Sequence, residues 1–268
     1  MTIGVKAERI MAYKDIVIYL DPSFDTDHRL KLAIAIAREH GARLVGVDAT
    51  SQAAFDGEWR DRATGLQNQF EEAIRTGGID GIFRSEVNSR NAHPHPDAHC
   101  ADLIIAPQPL FEARDLVAKA IPQDVVLTAG VPVLILPHEW RYSSVGKKIV
   151  IAWNASREAT RAVHDALPIL RRADKVTVFT FSFKARPERN QERIIDHLRR
   201  HGVPATAYGW RSEEDISPIV ALFSSLDTIE ADLIVAGAYG QSPTLEKWLG
   251  GASHDLMESL SVPLLVSH

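Results

Sequence analysis

The sequence predicts an α/β protein in which one unit of parallel sheet and helices is written twice. Three observations carry this. First, distant segments match in the same order: KDIVIYLD at Lys14–Asp21 with KKIVIAWN at Lys147–Asn154, ADLIIAPQP at Ala101–Pro109 with ADLIVAGAYG at Ala231–Gly240, and VPVLILPH at Val131–His138 with VPLLVSH at Val262–His268. The matched segments start 133, 130 and 131 residues apart, and such near-constant spacing marks an internal repeat. Second, each half alternates short β-branched runs with helical periodicity, the pattern of βαβ units. Third, Ile149–Ala152 is continuously apolar rather than alternating, as in a strand covered on both faces.

In the second half the strands fall at Ile149–Ala152, Val176–Phe183, Ala205–Trp210, Leu233–Ala236 and Pro263–Val266. Ser156 is a good N-cap, and Ala159, Val163, Ala166, Leu167 and Leu170 follow at helical spacing. Further helices are expected at Glu188–Arg200, ended by Gly202 and Pro204, at Ile216–Leu226 and at Ala252–Leu260. The first half repeats the order with Ile16–Leu20, Leu30–His40, Leu44–Val47, a helix within Glu58–Arg75 and Ile82–Arg84, then loses the pattern at Asn88–His99. The domains are placed at 11–138 and 147–268, with Met1–Ile10 as an extension and Pro137–Gly146 as a polar linker.

Composition narrows the function. Hydrophobic residues at 45% and charged residues at 24% describe an ordinary globular protein. A net charge of −5 argues against a nucleic-acid backbone or an anionic membrane as partner. Cys100 is the single cysteine, which excludes an intramolecular disulfide and fits a reducing cytoplasm. No apolar run approaches the roughly 20 residues of a membrane span, and Ile3–Val5 is too short for a signal-peptide core.

One motif points to chemistry. Gly237, Gly240 and Gly250 form G-x2-G-x9-G at the carboxyl end of the fourth strand of the second half. Ligands bind at such ends in open α/β sheets. Glycine lets backbone approach a ligand closely, and the helix opened by Gly250 and Gly251 presents free N–H groups to phosphate. Ser253 adds a hydroxyl. In the first half Pro107 and Pro109 replace the glycines, Ala118–Ile121 and Pro122 fall where the third would lie, and proline supplies no N–H donor.

The glycine motif, IAWNASREA at Ile151–Ala159, ADLIVAGAYG and the terminal VPLLVSH together resemble the universal stress proteins, in their tandem form, across nearly all of 11–268. The resemblance implies a doubly wound five-stranded parallel sheet of order 3-2-1-4-5 in each domain, flanked by helices. It also implies terminal strands that meet as in family dimers, giving a pseudo-dimer able to dimerise further. Its ATP-binding branch uses G-x2-G-x9-G-[ST], an acidic residue after the first strand and an adenine wall near the end of the second. Asn154 then takes the acidic position, Phe181 the adenine wall, and Gly251 stands where the family has Ser or Thr. Asp21 keeps the acidic position of the first domain.

Three functions stay open at this level. The first is binding of ATP with magnesium, or a related adenine nucleotide, for stress signalling. The second is a scaffold for protein partners without nucleotide. The third is a slow ATPase or self-phosphorylating protein, for which no general base is evident. No catalytic residue is assigned: Ser156 and His164 lie two helical turns apart, and His254 and Asp255 face different directions. His93, His95, His99 and Cys100 are metal-type ligands in a proline-broken segment, a compositional signal to which no metal site is assigned.

Overall fold

The ten strands among the described residues join one sheet, in the order β3-β2-β1-β4-β5-β10-β9-β6-β7-β8. This is a computed structural model, and it describes residues 12–21, 25–48, 58–85, 95–108, 125–140, 142, 144–183, 189–212, 216–238 and 260–268. The first half supplies β1 (Asp15–Leu20), α1 (Thr26–His40), β2 (Arg43–Asp48), α2 (Glu58–Gly77), β3 (Gly81–Arg84), a 3₁₀ turn (Pro96–Cys100), β4 (Leu103–Pro107) and β5 (Val133–Leu136). The second supplies β6 (Lys148–Ala152), α3 (Arg157–Asp165), α4 (Leu167–Leu170), β7 (Lys175–Phe183), α5 (Arg189–Arg200), β8 (Ala205–Ser212), α6 (Pro218–Ile229), β9 (Leu233–Gly237) and β10 (Leu264–Ser267). Each half therefore has the order 3-2-1-4-5 with every internal pairing parallel.

The two halves meet edge to edge. Leu264, Leu265 and Val266 pair antiparallel with Ile135, Leu134 and Val133. These strands are buried along their whole length, because their side chains enter a core cluster on each face of the sheet. The core on the α1 and α3 side runs without interruption from Tyr13 and Leu30 to Val163 and Leu198. Across the seam the Tyr13 hydroxyl donates to the Asp165 carbonyl at 3.0 Å, and Arg172 donates to the Glu39 carbonyl at 3.0 Å. Burial, with the Asp165 and Asp102 charges, pushes the Tyr13 phenol pKa up. No helix among the described residues is long and apolar enough to cross a membrane.

Element ends depart from the sequence reading for local reasons. The helix expected from Ala159 to Leu170 divides into α3 and α4, since Pro168 lacks the N–H that would continue the ladder. Helix α6 begins at Pro218 rather than Ile216, with Ser217 as its cap accepting from Ile219 N at 3.3 Å. Helix α1 starts at Thr26, one turn before Leu30, and ends on Gly41 in the left-handed conformation. The helix expected at Ala252–Leu260 lies outside the described residues except at its last position.

Burial also makes one histidine a measure of stability. His40 is buried at the end of α1, where Nδ1 accepts from Tyr13 N at 3.3 Å. Burial, aided by the charges of Arg172 and Lys14, lowers its pKa to about 4. The unfolded chain protonates this residue below about 6.5 and the native chain only near 4, so stability is full above 6.5 and declines as pH falls towards 4. The slope this single group contributes is about 1.4 kcal/mol per pH unit. Urea denaturation at pH 7 and pH 5 is expected to show a larger loss for the wild type than for His40→Asn.

Candidate functional site

The candidate site lies at the carboxyl ends of β7, β6 and β9, where the strand order of the second half reverses. Ala152 pairs with Phe179 and Ile151 with Val235. Extending both registers by two residues brings Asn154 level with Phe181 and Trp153 level with Gly237. Gly237 ends β9, Phe181 lies two residues before the end of β7 and Asn154 two residues beyond the end of β6, within one residue of a common height. Gly240, Gly250, Gly251 and Ser253 lie outside the described residues.

The turn from β6 into α3 is built by side chains. Asn154 Oδ1 accepts from Ser156 N at 3.0 Å, closing an Asx turn. Ala155 between them takes a positive φ of 58°. Ser156 Oγ then accepts from Ala159 N at 3.1 Å, the N-cap expected of it. Asn154 itself is exposed. The cap leaves the N–H groups of Arg157 and Glu158 as the open positive end of α3.

Gly237 has a role the sequence did not disclose. A Cβ there would lie closer than 3 Å to Ala159 N, Glu158 C and Glu158 Cβ. The first turn of α3 therefore rests on the backbone of β9, and only glycine admits it. Glu158 is the residue sequence reasoning missed: its side chain is 12% exposed, and it adjoins Gly237, paired with Arg157 Nε at 3.5 Å. Its nearness to the glycine motif becomes visible only when α3 is laid on β9. Phe181 is half-buried and packs with Tyr208, Trp210 and Phe223 against the outer core of the second half. Trp153 packs against the opposite core, its buried Nε1 without a hydrogen-bond partner among the described residues.

The matching crevice of the first half is closed by its own side chains. Arg29, 3% exposed, places its guanidinium 3.1 Å from both Asp21 Oδ1 and Thr26 Oγ1. His138 Nδ1 lies 3.0 Å from Asp25 Oδ2, and His138 N donates to Gln108 Oε1 at 3.1 Å. The space lined by Asp25, His28, Arg29, Leu136, Pro137 and Trp140 is about 10 Å³, room for a single water. Asp21 keeps the acidic position, but its carboxylate serves Arg29.

The histidine segment also resolves into structure. His95 is buried and caps the 3₁₀ turn, Nδ1 accepting from Asp97 N at 3.2 Å, while its own N–H donates to the Tyr19 hydroxyl at 3.0 Å. Burial pushes the Tyr19 phenol up to about 12, the His95 bond opposing it. Asp97 pairs with Arg84 at 3.1 Å. His99 and Cys100 are exposed, and His93 lies outside the described residues. Among the described residues no three His, Cys, Asp or Glu side chains are grouped to hold a metal ion. His164 sits beside His197, ring centroids 5.4 Å apart, away from Ser156.

Comparison with known proteins places the fold. No family model matches the sequence, and a search of curated proteins finds no match. Among solved structures, a universal stress protein from Archaeoglobus fulgidus DSM 4304 is similar at 15% identity, with 94% of this chain and 95% of that one covered and a TM-score of 0.69. A protein of unknown function from Pseudomonas aeruginosa PAO1 is similar at 16% identity, over 96% of this chain and 92% of that one, with a TM-score of 0.59. The chain has the fold of a tandem universal stress protein.

Two substitutions check the geometry. Gly237→Ala is expected to destabilise by about 1–3 kcal/mol or more, because backbone rather than a flexible side chain opposes the new methyl. Ser156→Ala should cost about 1 kcal/mol through loss of the cap. Thermal or chemical denaturation measures both, and a Gly237→Ala variant as stable as wild type would contradict the close packing of α3 on β9.

Proposed function

We propose that this chain is a ligand-responsive stress protein that binds an adenine nucleotide, ATP with magnesium foremost, in its second half. The observation that carries the reading is the arrival of Asn154, Phe181 and Gly237 together at the carboxyl ends of three adjoining strands, beside the open start of α3. In this reading the backbone at Gly237 and Gly240 turns around the phosphates, and the N–H groups at Gly250 and Gly251 with the Ser253 hydroxyl hold them. Asn154 takes the ribose, for which its exposed amide is a neutral donor and acceptor. Phe181 forms the wall for the base. The domains at 11–138 and 147–268 act as a pseudo-dimer in the cytoplasm, only the second loaded with nucleotide.

The first half contributes no second nucleotide site. Arg29 already pairs with Asp21 there and His138 stands 3.0 Å from Asp25, and a triphosphate would have to displace a buried guanidinium. Removing one partner of such a pair strands the other charge, which costs several kcal/mol.

Two observations favour the scaffold reading. Glu158 adds a carboxylate beside Gly237, and the oxygen of Asn154 is already engaged by Ser156 N. Both features disfavour a highly charged ligand unless magnesium offsets the repulsion. Protein partners then become the main business of the chain, and catalysis amounts at most to slow ATP hydrolysis.

Calorimetric titration of magnesium–ATP into the full chain separates these readings. One site per chain is expected, lost in Gly240→Val and retained in Asp21→Asn. Glu158→Gln should tighten binding, and the tightening should shrink at high salt as screening removes the repulsion. No heat of binding and no rise in melting temperature at saturating nucleotide would refute nucleotide binding and leave the scaffold. ADP accumulating during long incubation would instead establish the slow ATPase.

A further inference from the structure

We propose that two copies of this chain pair antiparallel through the outer edge of β8, extending the ten-stranded sheet across a two-fold axis. The edge is long and regular. Eight consecutive pairs, from Val176↔Ala205 to Phe183↔Ser212, run along β7 and β8 without a bulge. Val176 N donates to the Pro204 carbonyl at 3.1 Å, so the backbone of Thr206, Tyr208 and Trp210 faces β7 while that of Ala205, Ala207, Gly209 and Arg211 faces outward. Ala205 is satisfied locally: its N–H donates to the Val203 carbonyl at 2.8 Å, and its carbonyl accepts from Arg199 Nε at 3.2 Å. Among the described residues no backbone or side-chain group pairs with the outward groups of Ala207, Gly209 and Arg211.

Exposed edges in monomers are blunted by shortness, proline, lysine or a bulge. The opposite edge of this sheet follows that rule: β3 has four residues and ends at Arg84, which Asp97 ties down. Strand β8 has none of these devices, and its one charge is Arg211, next to the last residue.

The occupant that fits is a second β8. Pairing β8 with the partner's copy of β3 would join only four residues and propagate an open filament, whereas β8 with itself closes at two. Charge agrees. In a two-fold pair centred on Tyr208 or Gly209, Arg211 falls opposite Ala205 or Ala207, so no like charges meet. The half-buried rings of Tyr208 and Trp210 share one face of the strand and would cover each other across the axis, the cross-strand contact that stabilises antiparallel pairs.

Sedimentation equilibrium on the full chain, at concentrations up to about 100 μM, tests this by mass action. The expected result is twice the chain mass for wild type and the single-chain mass for Ala207→Pro and Gly209→Glu. The proline removes one outward N–H without touching a bond to β7. The glutamate, at an exposed position that never faces Arg211 in either register, brings two carboxylates to the axis and serves if the proline variant misfolds. A wild type that stays monomeric overturns the proposal, as does a dimer that folded Gly209→Glu leaves intact. Hydrogen exchange gives an independent reading: the amides of Ala207, Gly209 and Arg211 should gain protection as concentration rises. Exchange at those amides that is fast and independent of concentration overturns it equally.

Discussion

The antiparallel contact of β5 with β10 is the constraint on which the rest of the molecule depends. Three residues from each strand pair there, and through them two parallel sheets become one. Because every other pairing is parallel, the reversal at this seam points the carboxyl ends of the two halves to opposite edges of the sheet. The two crevices consequently open away from each other. The seam needs no polar specificity of its own. Both strands are buried, and an unpaired edge in that setting would strand backbone donors and acceptors at a cost the chain avoids only by pairing them.

Helix α3 connects the seam to the candidate site. It begins on Gly237 at the end of β9, and at its far end the Asp165 carbonyl takes the Tyr13 hydroxyl of the first half. Arg161, midway, donates to the Gly130 carbonyl at 2.7 Å. One nine-residue helix is thereby held at both ends by close contacts, a packed backbone at one and cross-half hydrogen bonds at the other. The turn that presents Asn154 inherits its position from these contacts, since the Ser156 cap fixes the chain to the first turn of α3.

The two crevices show how a duplicated fold diverges. At equivalent heights one half has Asp21 clasped to a buried arginine, with His138 against Asp25, while the other has an exposed Asn154 and an open helix start. A buried guanidinium is stable only while its partners remain, so the first crevice is committed to its internal network. Among the described residues the second shows no such buried ion pair, and its polar groups stand open to a ligand.

The sequence by itself determined the repeat, the order of strands and helices, the cap at Ser156 and the loss of the glycine motif from the first half. These are legible because they depend on local physics: continuous apolar runs for doubly covered strands, helical spacing, and capping within three residues. The candidate site was legible only as a spacing of glycines and an inherited position for Asn154. Tertiary structure alone decided what each polar or small residue touches. Arg29 reads along the chain as one more charge before a helix, and only the fold buries it against Asp21. His138 and Asp25 stand 113 residues apart, and Gly237 meets Glu158 and Ala159 from a different strand. Periodicity encodes which face of an element is buried, but not which distant element will lie on that face. Partners joined across the sheet therefore appear only when the strands are laid side by side.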